Sequence, residues 1–76
     1  MKRRNSDKAR QKQMDSLRDL AIFAIEPTQG KRALNELALY SEEALPRLIE
    51  IATSFKTDTE VRVAAKYLVE KFRLTI

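Results

Sequence analysis

Asp15 and Asp19 stand four residues apart with Arg18 between them. Two carboxylates one helical turn apart are raw material for acid–base or metal chemistry. A cation in the same patch turns them into a surface ion-pair cluster instead. Glu42 and Glu43 are adjacent, so on a helix they point about 100° apart and do not converge on one substrate. The chain has no histidine and no cysteine, which removes the usual general base, the usual zinc ligand, a nucleophilic thiol and any disulfide. Its single glycine, Gly30, is too few for a glycine-rich phosphate loop, and no glycine-containing calcium loop is present. These residues predict no catalysis, no metal, no cofactor and no small-molecule substrate.

The cations are unevenly placed. Within residues 1–13, Lys2, Arg3, Arg4, Lys8, Arg10 and Lys12 face one acid, Asp7, for a net +5. The remaining nine Lys/Arg and ten Asp/Glu give −1. The formal net charge of +4 therefore belongs to a basic arm, residues 1–12, which the composition predicts to be partly disordered, ahead of one folded domain, residues 13–76. Those six cations could clamp phosphates of a nucleic acid, with binding that weakens steeply in salt. No aromatic residue is interleaved for base stacking. The competing reading is a solvated, charged terminus.

The elements that position these side chains are helices. With 76 residues, one glycine and two prolines, the chain can build one small domain, and a domain of this length buries only about 60% of its unfolded surface. No apolar run approaches the roughly 20 residues that cross a bilayer. The longest is Leu20 to Ile25. No apolar segment and cleavage site follow the basic N-terminus, so a secretory signal is not expected. The expectation is a soluble, cytoplasmic protein without membrane partners.

Helical periodicity runs almost throughout. A first helix is predicted from about Asn5 or Ser6 to Ile25, its core stripe Met14, Leu17, Ala21 and Ala24, flanked by Leu20 and Ile25. Glu26 to Gly30 reads as a break, followed by a second helix from about Lys31 to Tyr40. Ser41 is placed to cap a third helix, with Pro46 bending its first turn. Ala44, Leu45, Leu48, Ile49, Ile51, Ala52 and Phe55 fill one half of its wheel. Thr57-x-x-Glu60 is placed as a capping box for a fourth helix ending near Phe72. The fold class is all-α: a four-helix orthogonal or HEAT-like bundle with a helical hairpin in its C-terminal half.

The residues Ala44-Leu45-Pro46-x-Leu48 and Asp58-x-Glu60-Val61-Arg62, followed by Ala64-Ala65 and Leu68, resemble a HEAT repeat of the phycobilisome-lyase type, one unit over residues 41–72. The resemblance implies that Pro46 bends the first helix of the pair, that Val61 and Ala65 face the core, and that Arg62 joins polar contacts near the inter-helix turn. It implies binding or scaffolding by surfaces. The basic arm and first helix do not match as a second unit. Such a unit buries its faces against the other helices or against a partner.

The fourth helix carries two apolar stripes. Val61, Ala64, Ala65, Leu68, Val69 and Phe72 are assigned to the core. Val63, Tyr67 and Leu74 lie roughly opposite. Either the helix is central and contacted on both sides, or the second stripe is an interface, with Arg62 and Lys66 at its rim. The expected function is a non-catalytic interaction module or small adaptor that binds another protein or a second copy of itself. The alternative is a small nucleic-acid-associated protein that uses its basic arm.

Overall fold

The computed structural model describes the backbone of residues 2–75 and the side chains of residues 7–74. The order is α1 (Lys2–Phe23), α2 (Pro27–Ala38), a 3-10 turn (Ser41–Ala44), α3 (Leu45–Thr53) and α4 (Thr59–Thr75). Among the described residues the chain is all-α, with four α-helices and no strand. α1 packs on α2 and α3 on α4; α2 then meets α4, and α1 meets α3. The extents, 41 × 29 × 17 Å, describe a slab two helices thick, since packed helix axes lie about 8–10 Å apart. No helix among the described residues is long and apolar enough to cross a membrane.

The core follows the stripes. Met14, Leu17 and Ala21 of α1 meet Ala33, Leu34 and Leu37 of α2. Leu48 and Ile51 of α3 and Val61, Ala65 and Val69 of α4 complete it. Ala64, Leu68 and Phe72 pack against its edge.

Four boundaries differ from expectation, each for a local reason. α1 starts by Lys2, with no break at residue 12, because no proline or glycine interrupts the basic segment. α2 starts at Pro27, not Lys31. A proline ring presets the helical φ and lacks an N–H that the first turn would leave unpaired anyway. Pro46 likewise occupies the first turn of α3, so it opens that helix after a 3-10 turn instead of bending it. Ser41 does not cap α3, whose N-cap is Ala44; it opens the 3-10 turn at φ 56°, the left-handed conformation that lets the chain leave α2. The Thr57–Glu60 box does not form. Asp58 caps α4 instead: its Oδ2 accepts from the Glu60 N–H at 3.3 Å and its carbonyl accepts from the Arg62 N–H at 2.9 Å. The Thr57 hydroxyl is buried without a partner.

Gly30 is a contact, not a flexible link. It lies buried inside α2. A Cβ there would stand 2.6 Å from Val61 Cγ2, 3.2 Å from Val61 Cγ1 and 3.4 Å from the Ala21 carbonyl oxygen. Val61 is fully buried and β-branched, so its χ1 is stiff and it has no room to yield. Alanine favours a helix over glycine by about 1 kcal/mol, whereas overpacking costs about 1–3 kcal/mol. Gly30→Ala is therefore expected to lower stability by about 1 kcal/mol in urea unfolding. Combining it with Val61→Ala should cost less than the two single changes added together. Unchanged or raised stability in Gly30→Ala would show that α2 and α4 do not meet this closely.

Candidate functional site

Three arginines tie α1 to α3 and to the 3-10 turn that precedes it. Arg47 donates from Nε to Asp15 Oδ1 at 2.8 Å and from Nη2 to Gln11 Oε1 at 2.8 Å. Arg10 donates from Nε to Glu43 Oε2 at 2.9 Å and from Nη2 to Asp7 Oδ1 at 2.8 Å. Arg18 reaches Glu50 at 3.2 Å, Asp19 at 3.2 Å and Asp15 at 3.5 Å. Asp15 and Asp19 thus share an arginine, as the spacing suggested, and Glu43 serves as an acceptor for α1. A fourth cross-helix pair, Lys31 with Glu60 at 3.3 Å, ties α2 to α4. Among the described residues no cluster of three acidic, histidine or cysteine side chains is placed to hold a metal.

This ladder has a pH signature. The hydrogen bond from Arg47 holds the Asp15 carboxyl below its ordinary value; partial burial opposes the effect, and the charges of Arg47 and Arg18 add to it. Burial works against the Arg18 charge, but hydrogen bonds to Glu50 and Asp19 outweigh it and raise its pKa.

The sequence-predicted nucleic-acid residues divide. Arg10 is engaged with two carboxylates. Lys8 and Lys12, one helical turn apart, are exposed. The side chains of Lys2, Arg3 and Arg4 lie outside the described residues.

The second stripe of α4 faces solvent. Val61, Ala65 and Val69, four residues apart, turn one side of the helix into the core. The opposite side then carries Val63 at 61%, Tyr67 at 67% and Leu74 at 86% exposure. These exposures correct the expectation of a central α4 contacted on both sides within the monomer. The slab has a layer on only one side of α4. Lys66 is exposed beside the stripe, whereas Arg62 is half-buried. Arg62 folds back, donating from Nη2 to Thr59 Oγ1 at 3.4 Å, with its Nε buried and unpartnered.

A second apolar surface escaped the sequence reading. Leu20, Phe23, Ala24 and Ile25 of α1 and its exit, with Ala33 of α2, line an open groove of about 570 Å³. Asp19, Arg32 and Glu36 stand at its edge. Beside it, the Lys56 ammonium lies 5.8 Å from the centroid of the Phe23 ring. This contact brings the α3–α4 turn next to the α1–α2 turn. The signal was the run Leu20 to Ile25: six consecutive apolar residues cannot share one face at about 100° per residue. Ala21 takes the core, while Leu20 and Phe23 are left outside.

Comparison with protein-family models, curated proteins and solved structures gives no match to this chain.

Because the folded-state value of Asp15 lies below the unfolded value of about 3.9, its contribution is complete above that pH and is lost as pH falls through the folded value. Stability to urea is expected to drop as pH is taken below about 4, with a shallower drop in Asp15→Asn. An identical acid limb in the two proteins would mean that the Arg47–Asp15 bond adds nothing to stability.

Proposed function

We propose that this chain is a non-catalytic protein-interaction module, a small helical adaptor that docks a partner protein on the outer face of α4. One observation carries the reading: Val63, Tyr67 and Leu74 are exposed in register on a helix whose other side is fully used by the core. Aligned apolar side chains between Lys66 and the acidic or basic residues of the rim suit a partner helix or groove better than a small substrate. Tyrosine adds a large contact area with few rotatable bonds and a polar tip.

The HEAT-like reading of residues 41–72 belongs to the same proposal. It rests on Pro46 and the Asp58-x-Glu60-Val61-Arg62 string, and it would make α3 and α4 one interaction unit. The second reading, a nucleic-acid clamp, is favoured by one observation, the exposed Lys8 and Lys12, which have no carboxylate partner among the described residues. It ranks lower because Arg10 is held by Asp7 and Glu43.

Tyr67 is exposed and away from the core, and surface changes of that kind usually stay within about 0.5 kcal/mol. Tyr67→Lys is expected to melt like the parent and to lose proteins captured by the parent from the native extract. Unfolding of Tyr67→Lys, or unchanged capture, would sink the α4 reading. For the clamp, Lys8→Gln with Lys12→Gln should leave retention on an immobilised polyanion unchanged at 150 mM salt. A marked loss of retention would favour nucleic acid.

A further inference from the structure

At one end of the slab two turns meet, and their apolar side chains are left in water. Leu20 is 60% exposed, Phe23 62%, Ile25 94% and Phe55 95%. Phe55 protrudes from the α3–α4 turn, and its neighbour Lys56 lies over the Phe23 ring at 5.8 Å. The α1–α2 groove of about 570 Å³ is lined by Leu20, Phe23 and Ile25. A protruding aromatic side chain and an apolar groove therefore sit side by side on the same end of the molecule. We infer that this end is a self-association surface, in which Phe55 of each copy enters the α1–α2 groove of the other across a two-fold axis.

The occupant is a second copy for two reasons. The first is area. Taking roughly 150–200 Å² per large apolar side chain, these exposures leave roughly 450–600 Å² of apolar surface on each copy. Two copies bring together at most roughly 900–1,200 Å², which reaches the threshold of about 1,000 Å² for a specific interface only at its weak, reversible end. The second is charge. Asp19, itself paired with Arg18, stands with Glu36 and Arg32 at the groove, and Lys56 lies beside it, so charges of both signs surround it. A mixed rim matches itself when turned through a two-fold axis, since each cation can meet an anion of the other copy. A partner of one sign would find part of this rim repulsive.

The surface is separate from the α4 stripe, so its failure leaves the docking role of α4 standing. The test is sedimentation equilibrium on the full chain over a concentration series. The parent should show a monomer–dimer equilibrium, with a dissociation constant on the order of micromolar. Phe55→Ser removes the knob, and Ala24→Phe fills the groove. Each alone should weaken dimerisation at least about ten-fold, with Tyr67→Lys unchanged. Because a mixed dimer of the two variants keeps one knob in one groove, mixing them should give more dimer than either alone. A parent that stays monomeric at about 1 mM overturns the inference. So does a dimer indifferent to Phe55→Ser, or variants whose mixture dimerises no better than its parts. Melting curves of both variants exclude loss of fold, and Phe55→Ser is the informative one if Ala24→Phe perturbs packing.

Discussion

The meeting of α2 with α4 at Gly30 and Val61 sets the geometry of the rest. The chain builds two helix pairs, α1 with α2 and α3 with α4, and the pairs must be joined across a shared core. Where they join, the Val61 side chain sits against the backbone of Gly30, and the Ala21 carbonyl oxygen borders the same spot. Three helices are therefore held at one point, with small residues allowing the approach. Close packing of this kind does not deform gradually, because interiors are as dense as organic crystals. Fixing this junction fixes which side of α4 is buried, and hence which side is left exposed.

The polar contacts act around that junction instead of creating it. Arg47, Arg18 and Arg10 lay a row of hydrogen bonds along the seam between α1 and α3. Their carboxylate partners are about half exposed, and exposed pairs contribute little individually. Their effect is on register: Arg47 reaches both Gln11 and Asp15, one turn apart on α1, so sliding α3 along α1 would break both bonds. The same seam engages Arg10 with Asp7 and Glu43 while leaving its side chain partly exposed, and Lys8 and Lys12 stand exposed beside it.

Periodicity made the four helices and most of the core legible before any coordinates. Val61, Ala65 and Val69 stand at four-residue spacing, and the wheel of α3 puts Leu48 and Ile51 inward, as found, whereas Ile49 and Phe55 of the same expected half are exposed. Boundaries were less legible because proline carries two opposite messages. In the sequence Pro27 signals a break and Pro46 a bend, yet each opens a helix. Which message applies depends on whether a helix already exists upstream, a tertiary matter. Gly30 read as a loop residue because its reason, the Val61 side chain, lies 31 positions further along the sequence. The groove was illegible for a similar reason. The run Leu20 to Ile25 announces excess apolar surface, but only the fold shows that the α3–α4 turn brings Phe55 and Lys56 to the same end.

A thin slab cannot bury all the apolar side chains that its helices carry, and both exposed surfaces follow from that shortage. With Met14, Leu37, Leu48 and Val61 fully buried, the monomer holds a complete core, and under the proposed function its apolar surfaces are sites of contact. A dilution series of amide correlation spectra tests this most directly. The account predicts that amides of Phe23, Ile25, Phe55 and Lys56 shift with concentration, while those of Met14, Leu37, Leu48 and Val61 keep their dispersed positions at the lowest concentration. Collapse of the core signals on dilution would contradict it, since the fold would then require the partner that the account treats as optional.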